Sequence, residues 1–297
     1  MSNKPKHKAG YVNIIGNPNV GKSTLMNALV GENLSIITSK VQTTRHRILG
    51  IVNGDDFQIV YSDTPGIIKN PGYKLQEAMM KFVESAIEDA DIFLYVTTPD
   101  DADIHEDIRN KIIESKVPLI IAFNKIDLSD QASVARKLEE LKKTFPAADV
   151  LPVSALHRFN LDGLFSLIYA KLPEGEAFYP KDELTDKTMR FFVSEIIREK
   201  ILLFFKKEVP YSVEVAVESY KETDERVDIL AYIFVMRESQ KAIILGHQGR
   251  AIKRLGSEAR KDIEEFVGKH IYLDLTVKVK KDWREDENLL KKFGYTV

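Results

Sequence analysis

Gly16-Asn17-Pro18-Asn19-Val20-Gly21-Lys22-Ser23 carries the spacing GxxxxGK[ST], which lets a loop wrap a phosphate chain. Glycines allow the backbone to turn its N–H groups inward on an anion. Lys22 can reach the β- and γ-phosphates, and Ser23 can offer its hydroxyl to Mg²⁺. Asp63-Thr64-Pro65-Gly66 adds a carboxylate that can hold Mg²⁺ through water and an N–H, on Gly66, that can sense a γ-phosphate. In Asn124-Lys125-Ile126-Asp127, the Asp127 carboxylate can accept from both N1–H and the 2-amino group of guanine. Adenine has neither donor. Asn124 can bridge to the base edge, and the alkyl stem of Lys125 can cover the ring. Ser154-Ala155-Leu156 can bring the Ala155 N–H to guanine O6, and in Gln42-Thr43-Thr44-Arg45 a threonine can complete the Mg²⁺ shell.

Taken singly, several of these are ordinary turns. Their order and setting carry the weight. Tyr11 to Ile15 reads as a buried strand before the glycine loop, and Thr24 to Val30 as the first turns of a helix after it. Phosphates would then sit at the positive end of the helix dipole. Further strands are expected at 59–61, 92–96, 119–123 and 149–153, with helices at 74–88, 104–115, 131–144 and 161–171. That alternation predicts an α/β fold, a mostly parallel sheet with helices on both faces. In such sheets ligands bind at the carboxyl ends of the strands, where these motifs fall.

A polar stretch from Pro173 to Asp186 holds two prolines, and 174–187 reads as a linker between a first domain at 1–173 and a second at 188–297. Met189, Phe192, Val193, Ile196, Ile197, Leu203 and Phe204 are spaced like the core-facing stripe of a helix. Strands follow at Tyr211 to Ser219 and Arg226 to Arg237, then a helix to Leu245. Gly246-His247-Gln248-Gly249 leads into a helix from Arg250 to about Gly268, and Ile271 to Val279 alternates as a closing strand. This α+β order with a GxxG turn between helices is that of a type II KH fold, which clamps about four nucleotides of single-stranded RNA. Arg237, Lys241, Arg250, Lys253, Arg254, Arg260 and Lys261 surround the turn, opposed by Glu238 and Glu258. Such a patch suits phosphate contacts. Ile243 and Ile244 are candidates for an apolar groove floor, with core packing as the alternative; Trp283 and Tyr295 can stack on bases or pack against the domain.

The bulk numbers restrict the classes. The chain has 297 residues, 44% hydrophobic and 30% charged, enough for one large core or two modest ones. A net charge of −2 means that any nucleic-acid surface must be local. With no cysteine there is no disulfide, thiolate zinc site or cysteine nucleophile. No apolar run reaches bilayer length, and the basic start, Met1 to Lys8, lacks the apolar segment of a secretory signal.

A nucleotide domain followed by a GxxG domain resembles the Era family of bacterial GTPases, over nearly the whole chain. The segments that carry the resemblance are Gln42 to Ile48, Asp186 to Lys200, Val209 to Ser212 and Gly246 to Gly256. The resemblance implies GTP and GDP binding, Mg²⁺-dependent hydrolysis, and docking on the 3′ end of 16S ribosomal RNA during 30S subunit maturation. It implies a cytoplasmic monomer, with peripheral contact at the inner face of the membrane left open. By motif match, 16–23 and 63–66 hold phosphates, 124–127 read guanine, and Ser23 and Thr44 ligate Mg²⁺. Thr44 is preferred over Thr43 because it directly precedes the arginine, as in related GTPases.

One catalytic group is missing. After Asp63-Thr64-Pro65-Gly66 comes Ile67, where Ras-like enzymes carry glutamine. Isoleucine cannot orient a water, so slow turnover is expected, on the ~10⁻⁴ to 10⁻² s⁻¹ scale of unassisted switch GTPases. Asn19 is a candidate for holding K⁺ beside the phosphates; a loop brace is the alternative. Two other functions stay in view: an RNA-binding protein that uses GTP as a structural ligand, and a general ATPase, against which Asp127 argues.

Overall fold

The apolar runs of the first half build one six-stranded sheet. The computed structural model describes residues 6–101 and 106–295. The first five residues of the basic N-terminus, positions 104 and 105 of the expected 104–115 helix, and the last two residues of the tail lie outside them. The strands are β1 (Lys8–Ile15), β2 (Ile48–Asn53), β3 (Phe57–Asp63), β4 (Ile92–Thr97), β5 (Leu119–Phe123) and β6 (Asp149–Pro152), in the order β2-β3-β1-β4-β5-β6. All neighbours run parallel except β2, which pairs antiparallel with β3. β2 is absent from the strands expected from sequence.

Helices cover both faces. Leu25 and Met26 of α1 (Lys22–Val30) and Leu164 and Ile168 of α5 (Leu161–Lys171) pack on Val12, Ile14 and Leu94. On the other face, Val83 of α2 (Lys74–Glu88), Ile112 of α3 (Glu106–Glu114) and Leu141 of α4 (Gln131–Thr144) pack on Ile15, Phe93 and Ile121. The ends of α2, α4 and α5 coincide with the spans read from apolar spacing. Asp130 fixes the start of α4 by accepting from the Ser133 N–H at 2.9 Å.

The stretch read as a linker is strapped to the outer edge of this sheet. Ile51 N–H donates to the Leu184 carbonyl at 2.8 Å, and Leu49 N–H to Asp186 Oδ1 at 3.1 Å. Gln58 Oε1 accepts from the Phe178 and Tyr179 N–H groups at 2.7 and 3.0 Å. An edge strand needs such cover, because its unpaired backbone groups otherwise offer themselves to other chains.

The second half follows the expected order: α6 (Met189–Phe204), β7 (Glu214–Glu222), β8 (Arg226–Val235), α7 (Glu238–Leu245), α8 (Arg250–Val267) and β9 (His270–Val279). The sheet runs β7-β8-β9, with β7/β8 antiparallel and β8/β9 parallel. Val227, Ile229, Ala231, Ile233 and Val235 alternate inward on β8, against Val193, Ile197 and Ile201 of α6. β7 starts three residues later than expected, because Val209–Tyr211 forms a 3₁₀ turn around Pro210. Proline has no N–H for a ladder and suits a turn.

The tail closes back on the first half. A 3₁₀ turn at Trp283–Glu285 and the short α9 (Glu287–Lys292) bury Trp283, Leu290 and Tyr295 against Leu75, Met79 and Phe82 of α2. The Trp283 indole donates to the Ser212 carbonyl at 3.0 Å. Neither Trp283 nor Tyr295 is free to stack on a base; both are packed between the two halves. Among the described residues no helix is long and apolar enough to cross a membrane.

Candidate functional site

The glycine loop joins the end of β1 to α1, at the carboxyl edge of the central strands. Gly21 has φ 97°, and a Cβ there would lie 2.5 Å from the Asn124 amide nitrogen. Glycine is what allows the loop to approach the Asn124–Asp127 segment. Lys22 is buried, and its ammonium donates to the carbonyls of Gly16 and Asn17 at 3.0 and 2.9 Å. Loss of hydration pushes its pKa down to about 8, although Asp63 and Asp101 pull the other way. Asn17 is braced by Asp101, Nδ2 to Oδ1 at 3.0 Å, and Val20 is core.

Beside Lys22 three oxygens converge. Ser23 Oγ donates to Asp63 Oδ2 at 2.7 Å and lies 2.8 Å from Thr44 Oγ1, which is 3.4 Å from the same carboxylate oxygen. Asp63 Oδ1 is buried without a partner, and burial raises the pKa of the group. Hydroxyls and a carboxylate are the hard donors that Mg²⁺ takes, and a cation there would give the orphaned oxygen its partner. The residues fit the ion. Thr43 faces away, its hydroxyl on Thr38 Oγ1 at 2.6 Å and the Lys40 carbonyl at 2.7 Å.

Gly66 lines the site, and a Cβ on it would meet Pro18 Cα at 2.8 Å, so the two phosphate-facing turns are in direct contact. Thr64 and Pro65, also expected here, are both buried. The Thr64 hydroxyl is turned to the Ile14 carbonyl at 2.8 Å. Ile67 is packed with Ile15, Val83 and Tyr95.

A cavity of ≈ 530 Å³ runs from Pro18 and Asn19 past Lys22, Ser23, Thr24 and Thr44 to Asp127 and Leu156, which suits a nucleotide-sized ligand. At the far end Asn124 is buried, donating to the Val20 carbonyl at 2.9 Å and accepting from the Ala155 N–H at 3.0 Å. The Ala155 N–H expected at guanine O6 is thus already engaged by Asn124, and a base would have to share it. Ser154 Oγ donates to Asp127 Oδ1 at 2.6 Å, orienting the carboxylate outward. Lys125 sits at φ 59° with its ammonium on the Asn19 carbonyl at 2.6 Å, so its stem spans the mouth. Exposed Leu128 and Leu156 also line the cavity. Sequence reasoning missed Ile36, Ile37, Thr38 and Lys40, which close one side. They belong to no short motif, and only the fold of 31–47 brings them over the loop.

On the other sheet the Gly246 to Gly249 turn stands out from the surface. Gly246 has φ 69°, and a Cβ there would lie 2.6 Å from Ala251 Cβ. His247, Gln248, Arg250, Lys253 and Arg254 are exposed, and Gly249 opens the 18-residue α8 without a side-chain cap. Its first N–H groups are therefore available to a phosphate. Arg254 also stacks over Phe204 at 4.6 Å, and Lys261 pairs with Glu258 at 2.8 Å. A groove of ≈ 350 Å³ adjoins the turn, between Ile252, Lys253, Gly256 and Arg260 of α8 and Tyr272 and Leu275 of β9. Ile243 is exposed, but Ile244 is fully buried in the core and cannot floor a groove for bases. The sequence reading placed the turn but not Tyr272, whose exposed ring on an alternating edge strand was the available signal.

Two family profiles match separate parts of the chain. The family profile described as a 50S ribosome-binding GTPase matches residues 11–125, and the KH domain profile matches 208–284. GTPase Era of Clostridium kluyveri is 43% identical over 97% of this chain and 99% of its own length. The chloroplastic GTPase ERA-like protein of Oryza sativa subsp. japonica is 47% identical over 97% of this chain and 70% of its own. A crystal structure of Era in complex with MgGDPNP and nucleotides 1506–1542 of 16S ribosomal RNA superimposes with a TM-score of 0.93 at 38% identity, covering 98% of this chain and all of that one. With the GxxxxGK[ST] loop and the Asn124–Asp127 segment on one cavity, a KH domain on the same chain, and full-length relatives above 40% identity, the chain belongs to the Era family of GTPases.

Proposed function

We propose that the protein is a GTP-driven switch, with a GTPase domain at 1–173, a linker at 174–187 and a KH domain at 188–297 that binds the 3′ end of 16S ribosomal RNA to assist 30S subunit maturation. One observation carries the reading: a single cavity joins Lys22, Ser23 and Thr44, the last two bonded to Asp63 behind them, to Asp127 at its far end. A related Era has been crystallised with MgGDPNP and a 16S segment, which supports the same pairing of ligands here. An RNA partner of this kind is met in the cytoplasm, where we propose that the protein acts as a monomer.

Lys22 and the loop N–H groups supply charge where it builds up during phosphoryl transfer, and bound Mg²⁺ would neutralise the phosphate oxygens. Ser23 and Thr44 would hold that ion directly and Asp63 through water. Asp127 would hold the base end, and Asn124 ties that end to the phosphate loop through the Val20 carbonyl and the Ala155 N–H. Ile67 is committed to the core, so no side chain at that position orients the attacking water. We propose that Asn19, exposed at the cavity mouth with φ 65°, helps hold K⁺ in partial compensation.

Three measurements check this account. Asp127→Asn removes a charged acceptor of two base hydrogen bonds, and should cost on the order of a hundredfold in GTP affinity while improving xanthosine triphosphate binding; unchanged guanine selectivity contradicts the base reader. Turnover should be about tenfold faster in KCl than in NaCl, a fraction of what an arginine finger supplies; equal rates dispose of the K⁺ role. His247→Asp with Gln248→Asp should abolish binding of a 16S 3′-end oligonucleotide and leave GTP hydrolysis intact, and undiminished RNA binding refutes the clamp.

A further inference from the structure

We propose that the KH domain is a working part of the nucleotide site: it positions Thr44 by gripping both of that residue's chain neighbours. Thr44 turns its hydroxyl toward Ser23 and Asp63. The backbone carbonyl before it and the side chain after it face the second domain instead. The Thr43 carbonyl accepts from the Arg198 guanidinium of α6. Arg198 is itself fixed by two bonds to Glu195, at 2.7 and 2.6 Å, and both side chains are buried. On the other side the Arg45 guanidinium, fully buried, donates to the Val213 carbonyl at 2.7 Å and to Glu214 Oε2 at 3.2 Å. Glu214 also accepts from the Tyr295 hydroxyl at 2.7 Å, and the Tyr295 ring stacks on His46 at 4.2 Å.

The grip extends along the segment. Lys40 reaches the Leu202 carbonyl of α6 and that of Phe205, which caps the helix, where a cation meets the negative end of the helix. Ile37 N–H donates to Glu199 Oε1 at 3.4 Å. Adjacent peptide units thus face two different surfaces, and the chain has little freedom between them. A threonine tied this way is preorganised for the γ-phosphate end of a bound nucleotide, a contact that a diphosphate does not need. Arg198 and Arg45 are then positioning residues for GTP, acting through Thr44. The proposal rests on the Mg²⁺–GTP reading of the site.

Two paired substitutions keep the buried charges balanced: Arg198→Met with Glu195→Gln, and Arg45→Met with Glu214→Gln. Each is compared with wild type for affinity toward GTPγS and GDP, and for amide exchange across 42–46 in the nucleotide-free protein. Loss of a charged hydrogen bond to the segment should lower GTPγS affinity about tenfold. GDP affinity should hold, and amides 42–46 should exchange faster. Thermal unfolding with GDP bound identifies a variant that has failed to fold, in which case the other pair decides. Affinities that stay level, or that fall equally for both nucleotides, overturn the proposal and leave the cluster as structural packing. Failure of wild type to bind GTPγS is a different result, and removes the nucleotide reading beneath it.

Discussion

Residues 37–46 are held from two sides at once, and the rest of the molecule is arranged around that fact. On one side Thr44 belongs to an oxygen cluster with Ser23 and Asp63. On the other, the Arg45 and Arg198 guanidiniums lie buried among carbonyls and carboxylates of the KH domain. Buried ions tolerate little displacement, because removing one partner of such a pair costs about 3–5 kcal/mol. The segment therefore has few intermediate positions. Contacts shared in this way between two domains are the kind that a two-state switch uses. Any coupling it carries must be reciprocal, so whatever nucleotide does to the KH domain, RNA does to the nucleotide site.

The electrostatics of the site point the same way. Burial depresses the pKa of Lys22 to about 8 and raises that of Asp63. Both shifts disfavour the charged forms that phosphate transfer requires. A bound phosphate would favour the Lys22 ammonium and a divalent ion the Asp63 carboxylate, so each ligand would offset part of the cost of burial. The KH side shows a different balance. Burial works against the Arg198 charge, yet Glu195 more than restores it and its pKa is raised. Two bonds within one helix hold that pair together, which makes it a firm anchor for the Thr43 carbonyl. Burial pushes His46 down to about 3, so at neutral pH it is an uncharged ring for Tyr295 to stack on.

Much of this was legible in the sequence, and what was not has a common cause. The phosphate loop, the Asn124–Asp127 segment and the GxxG turn are local: a few residues set the chemistry and their spacing sets the geometry. The helices at 74–88, 131–144 and 161–171 were readable to the residue, because each carries a strong apolar stripe between turn signals. β2 was hidden because Ile48–Asn53, interrupted by Gly50, directly follows a functional segment and pairs antiparallel at the sheet edge. Ile244 and Ile243 are adjacent apolar residues on one helix, and only packing decides that the first is core and the second exposed. The contacts of Arg45 lie some 165 residues further along the chain. No window around Arg45 contains Pro210 or Glu214, so the inter-domain grip had no sequence signature. The same distance kept Trp283 and Tyr295 from being recognised as the seam between the halves.

The central claim is that the nucleotide site and the GxxG turn are coupled through 37–46. The most direct measurement is the affinity of the full-length protein for an oligonucleotide carrying the 3′ end of 16S ribosomal RNA, taken once with GTPγS and Mg²⁺ and once with GDP and Mg²⁺. A coupling of the usual size, about 1–3 kcal/mol, predicts affinities that differ by on the order of 5- to 150-fold. Equal affinities in the two states would contradict the account and favour a protein for which GTP is a structural ligand.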